Sequence, residues 1–206
     1  MQPATEPEDL SVTDRRRAVA KAGHVGDPAT ARAGLSDPAP TVRATALGAL
    51  ERLDELADDV LADALADGDP TVRRRAAELT ATHPDVPLLP VLDDREPSVV
   101  EMAAWATGER EDISAVGRLS LLATGETGHA DPLCREAAVA ALGAIGDPAG
   151  LPAVLSALDD KPAVRRRAAV ALAAFEGPEV EAALTRCLDD RDWQVRQVAE
   201  DLLAVD

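Results

Sequence analysis

The chain has 206 residues, a length that fits one compact domain or one modest array of repeats. Hydrophobic residues make up 46% of it, but nearly all of these are Ala, Leu and Val, and only three residues are aromatic. Because Ala and Leu favour helices and the bulky side chains typical of sheets are scarce, the composition argues against a sheet-rich fold and predicts an all-α protein. The formal net charge of −17 disfavours binding to polyanions.

The amino-terminal segment and the hydropathy of the chain predict a soluble, cytoplasmic protein. Residues 1–10 are rich in Pro and Glu and predict a disordered acidic tail. They have neither the basic flank nor the apolar run of a signal peptide. No stretch of the sequence approaches the ~18 uninterrupted apolar residues that a membrane span needs.

A short phrase, in most copies Val followed by Arg, recurs six times along the chain. We call its first, apolar residue the anchor, and successive anchors lie 30, 27, 35, 30 and 31 residues apart: Val42, Val72, Val99, Cys134, Val164 and Val195. Alanine stands four residues after every anchor: Ala46, Ala76, Ala103, Ala138, Ala168 and Ala199. A fixed period of this size is typical of stacked supersecondary units. It predicts one array over residues 11–206, with a first helix at 11–23 and six helical hairpins at 27–53, 55–82, 85–108, 111–145, 148–175 and 178–204.

Turn residues and helical periodicity assign faces within each hairpin. Acidic residues follow the first helix, and five prolines are predicted to open the second: Pro40, Pro70, Pro97, Pro132 and Pro162. At 100° per residue, the anchor and the alanine four positions later point inward. The next residue after the anchor faces the neighbouring hairpin, and positions +2, +6 and +9 from the anchor point to solvent.

The Asp–Pro turn, the Val–Arg phrase and the Ala-rich run at 168–172 resemble HEAT repeats, in particular the short repeats of phycobilisome-lyase-type proteins. The resemblance covers about 27–206 and implies a right-handed α-solenoid. In such repeats the turn Asp and the Val–Arg arginine commonly form a ladder, which here implies Asp37, Asp67, Asp94, Asp160 and Asp190 with Arg43, Arg73, Arg165 and Arg196. The third hairpin departs from this pattern with Val100 in place of Arg, and the fourth departs with a longer turn at 123–131.

No catalytic constellation emerges from the sequence. The three histidines each stand alone beside Gly or Pro, and we expect them to be solvated turn residues: His24, His83 and His129. Some HEAT-repeat hydroxylases bind two iron ions through His-Glu pairs, but this sequence contains no His-Glu dipeptide. Paired aspartates recur at the turns, and helix capping explains them. Cys134 and Cys187 occupy small apolar positions of the repeat and predict buried side chains. We therefore expect a non-enzymatic protein without a cofactor or metal site.

The solvent-facing positions of the second helices, which line the concave groove in this fold, are the predicted site of a partner. Most of these residues are small, and Trp105 lies in the middle of the array. Exposed tryptophan is the residue type most enriched at binding hot spots. The predicted partner-binding residues are Met102, Trp105, Ala140, Val170, Arg74 and Arg166. The alternative is that Trp105 is buried against the next helix as filler in an alanine-rich layer.

These features favour a scaffold or adaptor that binds another protein or a peptide along the groove, although the sequence does not name the partner. The alternative is a lyase-like or enzyme-accessory protein, which rests on the resemblance alone. Nucleic-acid binding comes third, because the acidic composition resembles that of halophile proteins, which work in concentrated salt. At ~1 M salt the Debye length is about 3 Å, so phosphate contacts contribute little there. A small-molecule substrate is not expected.

Overall fold

The computed structural model describes residues 10–125 and 127–204. Apart from Leu10, the predicted tail at 1–10 lies outside the described residues. Across the described ranges the structure is helical and contains no strand, which confirms the all-α prediction. The chain divides into an amino-terminal unit, Met1–Pro87, and a carboxyl-terminal unit, Leu88–Asp206.

The amino-terminal unit is built from five α-helices. They are α1 (Val12–Val25), α2 (Pro28–Ala33), α3 (Pro40–Arg52), α4 (Asp58–Leu65) and α5 (Pro70–Leu79). Short 3₁₀ turns at Gly34–Ser36 and Thr80–Thr82 extend α2 and α5. Helix α3 packs between α1 and α5, while α2 packs on α1 and α3 and α4 packs on α5.

The carboxyl-terminal unit repeats this arrangement. It contains α6 (Pro97–Glu109), α7 (Val116–Ala123), α8 (Pro132–Ile145), α9 (Leu151–Ala157), α10 (Pro162–Ala171), α11 (Pro178–Cys187) and α12 (Trp193–Leu203). The second helices of successive hairpins are neighbours in the order α6, α8, α10, α12, and α7, α9 and α11 pack against them. Short 3₁₀ turns at Ile113–Ala115, Pro148–Gly150 and Leu172–Ala174 adjoin α7, α9 and α10. Each unit is therefore a stack of helical hairpins of the α-solenoid class. A single array through all six hairpins stays a prediction.

The repeat positions form the core as predicted. All six anchors are at most 2% exposed, and all six alanines four positions later are 0% exposed. The five predicted prolines are each the first residue of their helix, where the missing N–H leaves no hydrogen bond unmade. Helical period and turn chemistry thus place the second helix of every hairpin correctly.

Very close helix–helix contacts explain why the layers are made of small residues. A Cβ added to Gly23 would lie 2.8 Å from the Cα of Ala49. The same addition at Gly108 would lie 2.9 Å from the Cα of Ala141, and Gly108 is buried. The expectation that position +9 faces solvent is therefore wrong at Gly108, because α6 and α8 meet there backbone to backbone.

The third hairpin differs from the others in its first arm. Instead of an α-helix, residues Leu89–Asp93 form a 3₁₀ helix. Prolines at 84, 87 and 90 lie before or within this arm, and each removes a backbone N–H and restricts the preceding residue. The arm still buries Val91 and Leu92, so it fills the place of the missing helix.

Candidate partner-binding surface

Three neighbouring second helices of the carboxyl-terminal unit present apolar or small residues at position +6 from the anchor. We call Trp105 on α6, Ala140 on α8 and Val170 on α10 the apolar stripe. Trp105 is 42% exposed and Val170 is 48% exposed, while Ala140 is half-buried. Met102 lies one turn before Trp105 on α6 and is half-buried. The structure thus leaves the indole accessible, although the sequence left open its burial as filler.

A shallow groove that would suit a side chain or a short peptide segment lies between α8 and α10. Its volume is ≈ 310 Å³, and Ala140, Gly143 and Val170 contribute to its lining. Gly143 is essential to its shape, because an added Cβ would lie 2.9 Å from the Cα of Ala171. The structure therefore brings two of the predicted residues, Ala140 and Val170, to one groove.

The two predicted cations of the partner site differ in state. Arg166 is half-buried, and its Nη1 lies 2.9 Å from Oδ2 of Asp192. Its neighbour Arg167 contacts Glu136 at 3.4 Å. Arg74 belongs to the amino-terminal unit, where it is exposed on α5. The charge of Arg166 is thus already balanced within the chain.

Arginine–aspartate pairs join successive hairpins within each unit. Arg43 donates from Nε and Nη2 to both carboxylate oxygens of Asp67, at 2.9 and 2.7 Å, and from Nη1 to the carbonyl of Asp37 at 2.9 Å. Arg165 does the same with Asp190, at 3.1 and 3.0 Å. The hydrogen bonds from Arg43 hold the pKa of Asp67 below its ordinary value. These pairs bind hairpin to hairpin, and each arginine is balanced by its aspartate.

Two members of the ladder were missing from the prediction. Arg15 on α1 donates to both oxygens of Asp37, at 2.7 and 2.9 Å. Arg135 donates to both oxygens of Asp160, at 2.6 and 2.7 Å, and this pair is deeply buried, with side chains 6% and 5% exposed. The signal was available, because Arg135 directly follows the fourth anchor. The longer turn before it obscured the register.

The remaining predicted ladder residues also make hydrogen bonds within their own turns. Nη1 of Arg73 donates to the carbonyls of Asp67 and Gly68, and Nη1 of Arg196 donates to the carbonyl of Asp190 at 2.7 Å. Asp94 accepts the backbone N–H of Glu96 at 2.9 Å. A shared element of the motif is therefore the arginine bound to the carbonyls of its own turn.

His83 is not the solvated turn residue that the sequence predicted. Its side chain is 15% exposed, with Nε2 2.9 Å from Glu51 and Nδ1 2.6 Å from Asp58. Burial lowers the pKa of His83 but the two carboxylates raise it, and the balance lies above the ordinary value. Because a neutral imidazole has one N–H and both ring nitrogens face carboxylates, the cluster fits an imidazolium that joins α3, α4 and the turn after α5.

The cysteines are buried, as predicted, and both are free thiols. Burial, together with the charges of Asp131 and Glu101, raises the pKa of Cys134 to about 12, so its thiol is a poor nucleophile. Within residues 10–125 and 127–204, no three His, Cys, Asp or Glu side chains are grouped to hold a metal ion. In the same ranges, no helix has the length and apolar character to cross a membrane.

Comparison with known proteins supports the fold. The structure is similar to a crystal structure of an engineered protein, with a TM-score of 0.62, 18% identity, and coverage of 93% of this chain and 95% of that one. It is also similar to YibA of Escherichia coli, with a TM-score of 0.62, 17% identity, and coverage of 99% of this chain and 76% of that one. At this identity the likeness concerns the fold alone. No curated protein matches the sequence.

The family comparison is specific to the carboxyl-terminal part of the chain. Residues 118–204 match the family model of HEAT repeats. This segment begins within α7 and ends after α12, so it contains the Arg135–Asp160 and Arg165–Asp190 pairs. The resemblance that the sequence suggested is thereby confirmed over this range, whereas the phycobilisome-lyase variety stays a prediction.

Proposed function

We propose that this protein is a non-enzymatic scaffold or adaptor that binds a partner protein along the exposed face of its second helices. The observation that carries the proposal is the apolar stripe, in which Trp105 and Val170 are about half exposed at the same repeat position of α6 and α10. Large apolar side chains at that depth lose contact with water when a partner covers them. A stacked repeat fold is typical of interaction scaffolds.

The surroundings of the stripe suit a polypeptide. Ala140 and Gly143 keep the surface between α8 and α10 low, so a partner's backbone can approach closely. Arg166 and Arg167 already pair with Asp192 and Glu136, so these two cations are balanced within the chain. Apolar contact is also less sensitive to salt than ion pairing.

A capture and titration experiment tests the proposal. The tagged chain is incubated with cell extract in molar potassium chloride, captured proteins are identified by mass spectrometry, and the stoichiometric partner is purified for titration. We expect Trp105→Ala to weaken binding about 30-fold, the loss typical of a hot spot, and Val170→Ala to weaken it severalfold.

Trp193→Ala is the matched control. Trp193 is 64% exposed at the start of α12, outside the stripe, so its loss removes the same indole without affecting the proposed site. Unchanged affinity of Trp105→Ala combined with a large loss of stability would show that Trp105 is a packing residue and would contradict the proposal. Retention of DNA instead of a protein would favour nucleic-acid binding.

A further inference from the structure

A second groove lies on the face of α1, α3 and α5 in the amino-terminal unit. Its volume is ≈ 400 Å³, and its floor includes the small residues Ala44 and Gly48. Four arginines line the groove: Arg16, Arg52, Arg74 and Arg75. No carboxylate of the described residues lines it. The groove is therefore strongly basic in a chain whose formal net charge is −17.

The pairing of arginines in this unit is selective. Its described part holds nine arginines, of which at least five contact a carboxylate: Arg15, Arg17, Arg32, Arg43 and Arg75. A sixth, Arg73, donates to backbone carbonyls. The remaining three, Arg16, Arg52 and Arg74, are exposed and have no hydrogen-bond or ion-pair partner among the described residues. All three line the groove.

This concentration of unpaired cations has an electrostatic consequence. The chain has 38 acidic against 21 basic residues, so carboxylates are plentiful for an arginine in most places. Guanidinium groups gathered around one groove repel each other, and an anionic ligand placed between them replaces that repulsion by attraction. Arginine also binds carboxylates in a two-point geometry that a flexible lysine does not offer.

We propose that this groove binds an acidic segment of a partner polypeptide, whose Asp or Glu carboxylates contact Arg16, Arg52 and Arg74. The inference extends the proposed scaffold function to the amino-terminal unit, and it rests on that function for the polypeptide nature of the partner. The small side chain of Ala44 lets the backbone of the segment lie close to α3. Arg75 is held at the groove by Glu78, at 2.8 Å, and contributes less charge.

The geometry favours an acidic peptide over a nucleic acid. Duplex DNA binding depends on the neutralisation of many phosphates, roughly 6–10 in a strongly salt-dependent complex, and the groove offers four arginines. Single strands bind through aromatic side chains on which bases stack, and no aromatic residue is part of the described lining. A long polyanion would also meet the acidic remainder of the surface. A short carboxylate-bearing segment meets only the groove.

Fluorescence anisotropy with a labelled peptide of alternating Asp and Ala tests the inference, at low ionic strength, where screening is weak. The triple variant Arg16→Gln, Arg52→Gln, Arg74→Gln should bind at least about tenfold more weakly, since each exposed pair contributes about two- to fivefold. Ala44→Leu, which fills the floor and changes no charge, should weaken binding severalfold. Circular dichroism should be unchanged, because the altered arginines are exposed.

The matched control removes three exposed cations from the carboxyl-terminal unit: Lys161→Gln, Arg186→Gln and Arg191→Gln. It should change the affinity for the peptide less than about twofold, because the net charge alone has little effect on one local groove. An equal loss in the control, an unaltered affinity in the triple variant or in Ala44→Leu, or tighter binding of single-stranded or duplex DNA than of the peptide would overturn the inference. None of these outcomes bears on Trp105, so this test and that of the proposed function can fail independently.

Discussion

Both units contain arginine–aspartate pairs that link successive hairpins, here called joints, but these joints are buried to different extents. In the amino-terminal unit the side chains of Arg43 and Asp67 are 20% and 17% exposed, whereas Arg135 and Asp160 in the carboxyl-terminal unit are 6% and 5% exposed. The shortest distances are nearly equal, 2.7 and 2.6 Å. The repeat therefore sets the hydrogen-bond geometry, whereas the contribution of a joint to stability depends on how much water reaches it.

The arginine triplets show a second difference between the units. Arg74 and Arg166 occupy the same position, two residues after an anchor, in identical Val-Arg-Arg-Arg-Ala-Ala phrases. Arg166 pairs with Asp192, whereas Arg74 has no partner among the described residues and lines the basic groove. Identical local sequence thus yields a neutralised face in one unit and a basic one in the other. The neighbouring hairpin decides which.

The largest expected effect sharpens the comparison of the joints. Asp160→Ala should lower the free energy of unfolding by about 3–5 kcal/mol, because it leaves the buried Arg135 guanidinium without its counter-charge. Asp67→Ala should cost about 2 kcal/mol, since water can partly replace its charged hydrogen bonds to Arg43. Chemical denaturation of the full-length variants measures both. Equal losses would show that depth does not govern these joints.

Substitution of two glycines should have a smaller effect on stability, and it distinguishes a close helix–helix contact from a position covered only by a side chain. Gly108→Ala should destabilise the protein by about 1–3 kcal/mol, because the new methyl group meets the α8 backbone at Ala141. Gly48→Ala should instead be neutral or stabilising by up to about 1 kcal/mol, because its methyl group meets the mobile end of Arg75 and alanine favours the helix. Thermal unfolding of the two variants distinguishes these outcomes. If both substitutions destabilised the protein, Gly48 would be packed as closely as Gly108.

The smallest effect concerns pH, and its sign differs between the units. The pKa of His83 is raised in the folded protein, so its contribution is fully present below the unfolded pKa and is lost as pH rises through the folded one. Between about pH 6 and 8 the wild type should lose less than about 1 kcal/mol relative to His83→Gln. Denaturation at several pH values measures this difference. A difference that grows with rising pH would show that His83 is buried as the neutral form.

The joint in the carboxyl-terminal unit responds in the opposite direction. Hydrogen bonds from Arg135 lower the pKa of Asp160, so its stabilisation is present above the unfolded pKa and disappears as pH falls through the folded one. Asp160→Ala should therefore remove stability at neutral pH and change little in strong acid. The amino-terminal histidine cluster responds near neutrality, and this joint responds only in acid.

Features that depend on local chemistry could be predicted from the sequence. The anchors, the alanines and the opening prolines were placed correctly because helical period and proline geometry act within a few residues. The Arg15 and Arg135 joints and the His83 cluster were missed. They join residues 22 to 32 positions apart, and the one that follows an anchor, Arg135, comes after a turn of unusual length.

The candidate surfaces were only partly predictable for the same reason. Position +6 was predicted to face solvent, and Trp105 and Val170 are exposed there, but the extent of their exposure depends on the spacing of α6, α8 and α10. Arg74 was predicted only as one of the six partner-binding residues. That it shares a groove with Arg16 and Arg52 requires the packing of α1, α3 and α5.

By itself the sequence determined the class of fold, the inward face of each second helix and the points at which those helices begin, because each is set by residues adjacent along the chain or on one helix. Only the tertiary structure decided which carboxylate each arginine contacts, which joints are buried from water, and where unpaired arginines lie close together. These depend on distances between hairpins, which change with each turn length and each small residue at a helix contact.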